Sequence, residues 1–312
     1  GVRRLREWIE SGVIGAVREV HCWTKSAAGM WPQGIRRPKT QPAVPSHLDW
    51  DLWLGPAPER PYHPVYHPNR WRGWWDFGGG ALGDMGCHIL DAPFYALQLG
   101  SPRFVCGAQT RLNSRGGPYE LGQGFQLNME INEEDFPVQT TCSGPDAQTA
   151  PLSCVIRYEF PARHGHPPVS LTWWDGGLVP PLLVALGHTN KAGRPRSSHG
   201  TLFIGEKGSI SCGSHSENIL FRPERIKEEH TVPAKQYSRV KGSHEQNWLE
   251  ACKGGPAACS NFDYAAPLAE IIALGNVALR TGKGIEWDAD SMKAANAPEA
   301  DRYIKIDCRK GW

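Results

Sequence analysis

The sequence has no excess of either charge. Its 34 Lys and Arg stand against 32 Asp and Glu, and no basic run suits nucleic acid or an anionic membrane surface. It has no uninterrupted apolar run approaching the ~18 residues of a bilayer-spanning helix, so no membrane is expected among its partners. It has no paired-cysteine motif. Nine cysteines are present, an odd number without a C-x-x-C. That pattern excludes the ordinary zinc and disulfide frameworks and reads as mostly buried thiols, which favours a reducing, cytoplasmic compartment. No internal repeat is found, and 312 residues suffice for one large domain or two ordinary ones.

What the chain does have is 35 Gly, 26 Pro and 13 Trp, the composition of a loop-rich globular protein. It begins at Gly1 rather than Met and enters an amphipathic helix at once, over 2–11, which leads us to expect sequence upstream. The spacing predicts a strand over 17–25, a short helix over 48–54, a glycine loop over 78–83 and a helix over 84–99. Short strands follow over 103–112, 138–142, 152–160, 169–174, 200–204, 209–212 and 219–222. Helices over 243–253 and 264–281 precede a polar tail with a short helix near Pro298. Closely spaced strands with few helices between them imply an α+β fold: an open, mainly antiparallel sheet with helices on one face, forming one domain over 1–312. No alternating βαβ run occurs, so no nucleotide-binding doubly wound domain is expected in these residues.

The stretch 78–83 reads Gly-Gly-Gly-Ala-Leu-Gly and fits G-x-G-x-x-G. A dinucleotide turn needs a buried strand before it and an acidic residue about 20 positions on. Here the preceding residues are Trp71-Arg72-Gly73-Trp74-Trp75-Asp76-Phe77, and the acids Asp84 and Asp91 come too early. The alternative is that the glycines let backbone approach a ligand and deliver a helix N-terminus to it. On that helix Asp84, His88, Asp91 and Tyr95 are spaced 4, 3 and 4 and share a face. Cys87, Leu90, Phe94 and Leu97 form the neighbouring apolar stripe. Imidazole titrates near neutral pH and can take a hydroxyl proton, with Asp84 orienting the ring. Two plainer readings stay open: Asp84 as an N-cap with His88 a half-buried structural histidine, or Asp84, His88 and Asp91 as metal ligands with His244.

The stretch "DWDLWLGPAPERPYHPVYHPNRWRGWWDFGGGALGDMGCHILD" resembles the corresponding part of the Gfo/Idh/MocA oxidoreductases. So do the opening 20 residues and the segment "GSHEQNWLEACKGGPAACSNFDYAAPLAEIIALGNVALRTGKGIEWD". The most specific element is G-G-x-x-x-D-x-G-x-H-x-x-D, matched by Gly79, Gly80, Asp84, Gly86, His88 and Asp91. The resemblance implies the C-terminal half of such an enzyme, with a sheet like that of the glyceraldehyde-3-phosphate dehydrogenase C-terminal domain. It implies a secondary alcohol of a sugar, glycoside or cyclitol as substrate, and NAD or NADP as cofactor. The cofactor would be bound mainly by an N-terminal Rossmann domain that these residues do not include, with Gly79 and Gly80 lining the cleft between nicotinamide and substrate. The family's D-x-x-x-H pair falls on Asp84 and His88. Its lysine motif, Glu-Lys-Pro, has no counterpart here. Members commonly form homo-oligomers through the sheet face, and relatives in this branch often carry export leaders, which leaves a periplasmic location open.

Further substrate-binding candidates are Arg72, Trp74 and Trp75, able to bond and stack on a sugar; Asp91 on the polar face; Trp173 and Asp175, at a strand end read as a cleft rim; and His244 at a helix start. Ser243 with Gln246 suits a capping box there. Two other functions fit the same residues: a redox-neutral glycosidase that oxidises its sugar transiently, and a non-catalytic sugar-binding domain. No metal is expected.

Overall fold

The computed structural model describes residues 1–26, 30–110, 144, 147–305 and 307–312. The strand expected over 138–142 lies outside them. The chain opens with α1 (Val2–Glu10), β1 (Val17–Thr24) and α2 (Trp50–Leu54), then α3 (Gly80–Ile89) and α4 (Asp91–Ala96). Strands β2 (Phe104–Gln109), β3 (Cys154–Phe160) and β4 (Val169–Trp174) follow, with α5 (Leu182–Ala185) after them. Next come β5 (His199–Gly205), β6 (Ser209–Gly213), β7 (Leu220–Arg222), α6 (Arg225–Glu228), α7 (His244–Cys252) and α8 (Phe262–Thr281). The chain closes with β8 (Ile285–Asp288), β9 (Lys293–Ala294) and α9 (Asp301–Ile304).

The nine strands form one open sheet in the order β7-β6-β5-β1-β4-β3-β2-β8-β9. Every pairing is antiparallel except β1 with β4. This is the expected α+β class. Side chains alternate across the sheet, as strand geometry requires. Val20 and Cys22, Ile156 and Tyr158, Leu171 and Trp173, and Phe203 belong to one large core shared with α1, α3, α4 and α8. The opposite face carries a small cluster, in which Leu183 of α5 packs on Trp23 and Leu202. Helices α1, α3, α4 and α8 are therefore gathered on one face, and among the described residues α5 packs on the other.

The longest helix, α8, is long and apolar enough to cross a membrane by length and composition, which corrects the expectation that no such segment exists. Leu268, Ile271, Leu274, Val277 and Ala278 of this helix are buried in the sheet's core. Gly275 lets it lie close, since a Cβ there would come within 2.1 Å of the Tyr158 hydroxyl.

The helix expected over 84–99 is two helices. Proline at position 93 has no N–H to give the Ile89 carbonyl, and its ring crowds that carbonyl, so α3 ends at Ile89 and α4 restarts at Asp91. The face expected to hold Asp84, His88, Asp91 and Tyr95 is thereby split. Cys87 is exposed rather than part of the apolar stripe.

Candidate active site

A 3-10 turn, Arg70–Gly73, leads through Trp74 and Trp75 into the glycines. The loop is fixed by backbone bonds: Gly78 N–H donates to the Trp74 carbonyl (2.7 Å) and Gly83 N–H to the Gly79 carbonyl (3.0 Å). From α8, Asn276 Nδ2 donates to the same Gly79 carbonyl at 3.1 Å. Helix α3 starts at Gly80, which has a φ of +63°. Trp71, Arg72, Gly78, Gly79, Gly80, Gly83 and Asp84 line an open cleft of about 280 Å³.

The loop does not fit a dinucleotide. A Cβ on Gly78 would lie 2.5 Å from the Arg72 carbonyl oxygen, one on Gly79 2.6 Å from Asn276 Nδ2, and one on Gly80 2.4 Å from Ala150 Cβ. Each of these three positions is thus restricted to glycine by the chain's own packing. The element that leads directly into the loop is the 3-10 turn Arg70–Gly73 and not the buried strand such a turn needs.

Asp84 sits on the first turns of α3 and accepts from Arg72 Nε at 2.8 Å. Arg72 also donates to the Asn69 carbonyl at 2.7 Å. Its guanidinium lies 4.8 Å from the Trp71 ring centroid and 5.7 Å from that of Trp31. The expectation that Asp84 orients His88 needs correcting: its partner is Arg72, and no hydrogen bond joins it to His88 among the described residues. His88 lies one helical turn further, about 6 Å along the axis, and is exposed. Its neighbour is His215, with ring centroids 5.5 Å apart. His199, whose Nδ1 is 2.6 Å from Thr24 Oγ1, is held below the ordinary imidazole range by burial and then by the charges of Lys25 and His88. These two further histidines come from β5 and the turn after β6, far away in the chain, and no local spacing announced them.

Other candidates lie elsewhere. Trp74 is fully buried, packing edge-on against Tyr66 at 5.0 Å, and cannot stack on a ligand. Trp173 is fully buried in the sheet's core. Asp175 is 3% exposed and not on a rim. Its carboxylate accepts from Cys154 N–H (2.7 Å), Cys154 Sγ (3.1 Å) and Trp173 Nε1 (3.1 Å), and burial pushes its pKa up to about 6. Alternation along β4 sets Trp173 on the core face with Val169 and Leu171, and Asp175, one residue past the strand, is drawn in by its bonds to Cys154 and Trp173. Asp91 accepts from the Tyr264 hydroxyl of α8, and burial raises its pKa; it fastens α4 to α8. His244 is an exposed residue at the start of α7, with no contact to the cleft among the described residues. Trp75 faces a different, larger pocket.

Residues 1–103 match the Gfo/Idh/MocA family model described as "Oxidoreductase family, C-terminal alpha/beta domain". The whole cleft and His88 fall inside that span. Among solved structures, the WlbA dehydrogenase from Bordetella pertussis, in complex with NADH and UDP-GlcNAcA, is 13% identical with a TM-score of 0.45. The alignment covers 92% of this chain and 59% of that one. An aldose-aldose oxidoreductase from Caulobacter crescentus, complexed with glycerol, is 12% identical with a TM-score of 0.43, over 91% of this chain and 59% of that one. Levoglucosan dehydrogenase, in complex with NADH and L-sorbose, is 13% identical with a TM-score of 0.39, over 95% and 65%. The chain thus spans less than two thirds of each. No curated protein matches the chain.

Proposed function

We propose that this chain is the substrate half of an NAD(P)-dependent oxidoreductase acting on a secondary alcohol of a sugar, glycoside or cyclitol. The observation that carries the reading is the juxtaposition of an open glycine-lined cleft, the Arg72–Asp84 pair on its wall and an exposed His88 one turn away on the same helix. The match of residues 1–103 to an oxidoreductase family supports it. The cofactor belongs to a nucleotide-binding domain outside these residues, because a 3-10 turn rather than a buried strand leads into the glycine loop. When bound, the nicotinamide supplies the hydride acceptor.

The chain's own residues do the rest. The glycines leave their own wall of the cleft free of side chains, so a sugar ring can approach the backbone of α3. Arg72 fixes Asp84 and with it the negative side of the cleft. His88 takes the hydroxyl proton as the carbinol carbon is oxidised to a carbonyl. Pairing of two copies through the uncovered sheet face belongs to the same proposal.

The test is a panel of sugars and cyclitols offered with NAD+ or NADP+ to the protein carrying its nucleotide-binding domain. Reduced cofactor is expected, with turnover collapsing in Asp84→Asn. Sugar released without net reduced cofactor favours the redox-neutral glycosidase, and turnover unchanged in Asp84→Asn removes the pair from the reaction.

A further inference from the structure

A second pocket, of about 730 Å³, is not used by this reading. Its size is that of a small-molecule site. Trp53, Trp71, Trp75 and Phe77 form aromatic walls, and Arg280, from the end of α8, sits among them. The Arg280 guanidinium is 5.3 Å from the Trp75 ring centroid and 4.2 Å from that of Tyr303.

Three features of this pocket call for an acceptor. Arg280 Nε is buried with no hydrogen-bond partner among the described residues, and so is Trp75 Nε1. Arg280 makes no ion pair among the described residues. Asp76, a carboxylate on the lining, is already bonded by Arg37 and Arg60. Arg302 and Lys305 add two more cations to the lining, against one further acid, Asp307. Buried donors without acceptors are costly, and a guanidinium fork matches a carboxylate or phosphate. The aromatic walls suit the apolar face of a ring. Trp71 also lines the glycine cleft, so the two sites adjoin.

We propose that this pocket binds a sugar-sized ring bearing an anionic group, with Arg280 clamping the anion and Trp75 and Trp71 against the ring. The claim concerns binding and stands whether or not the chain takes part in hydride transfer. Carboxylate and phosphate share the required chemistry, and the probes separate them.

The test is calorimetric titration of the 312-residue chain with glucuronate, glucose 6-phosphate, glucose and inorganic phosphate. Saturable binding of a charged sugar, with glucose at least about tenfold weaker, is expected from the loss of a charge-assisted contact. The tighter of the two charged sugars identifies the anion. Arg280→Gln is expected to weaken that binding about tenfold or more. Because Arg280 is half-buried, the exposed pair Arg302→Gln with Lys305→Gln provides a second variant, expected to weaken binding less. Failure of both charged sugars to bind, equal binding of glucose, equal binding of bare phosphate, or unchanged affinity in both variants each overturns the proposal.

Discussion

Two glycines of one motif, three residues apart, have opposite roles in this structure, and substituting each by alanine separates them. Gly80 is buried at a φ of +63°. An L-residue there costs about 1–2 kcal/mol. Its Cβ would also fall 2.4 Å from Ala150 Cβ and 3.2 Å from Gln33 Oε1, and such overpacking typically costs about 1–3 kcal/mol. Gly80→Ala should therefore destabilise by roughly 2–5 kcal/mol, the sum of these two terms. Gly83 is exposed within α3, with no positive φ, and its added Cβ meets only Asn276 Nδ2 at 3.9 Å. Gly83→Ala should stabilise by up to about 1 kcal/mol through helix propensity. Urea unfolding followed by circular dichroism measures both, as midpoint shifts at constant slope. A Gly80→Ala variant within about 1 kcal/mol of the parent, smaller than the sum of its two costs, refutes the packing account. So does a Gly83→Ala variant that is the more damaged of the two.

The buried Asp175 gives a pH signature. Its folded pKa of about 6 lies above the ordinary 3.8, so the native state holds the proton more tightly, and stability contributed by this group is lost as pH rises through 6. The Asp175→Asn variant should therefore gain on the parent by about 1.4 kcal/mol between pH 5 and 8; a flat difference across that range contradicts the assignment. His188 has the opposite sign. Its nitrogens lie 2.7 and 2.8 Å from Ser211 Oγ and Ser209 Oγ, and burial, then Arg222 and Arg196, pushes its pKa down to about 4. It is held neutral, and its contribution, up to about 3 kcal/mol, is lost as pH falls from 6.5 towards 4. His188→Gln should show a shallower acid limb in urea unfolding than the parent, and an identical limb excludes the histidine as its cause.

Much of the fold could be read from local pattern. The alternation of 169–174 gave β4 its observed bounds, and Ser243 caps α7 as anticipated, its Oγ accepting from Gln246 N–H at 3.2 Å. The reciprocal half of the box is missing, because Gln246 Nε2 donates to Glu250 instead. The break between α3 and α4 was also readable, in Pro93, but the strong helical periodicity around it outweighed one residue. Hairpin β8–β9 was hidden in a polar tail because its strands are short and only one face is buried. At the site, the position of Asp84 and His88 on one helix followed from spacing. The partnership of Asp84 with Arg72, the neighbouring His215 and the burial of Trp74 and Asp175 did not, because each depends on segments distant in the chain. The aromatic pocket around Arg280 is assembled from four such segments; of the tryptophans singled out in the sequence, Trp75 lines it, while Trp74 and Trp173 are fully buried.

The central claim is that His88 moves the substrate's proton. Its most direct test is the turnover of His88→Ala in the protein carrying its nucleotide-binding domain, measured with and without added imidazole. The account predicts a loss of about 10²–10⁴-fold, partly restored by imidazole, with urea stability unchanged because His88 is exposed. Turnover equal to the parent's would contradict it.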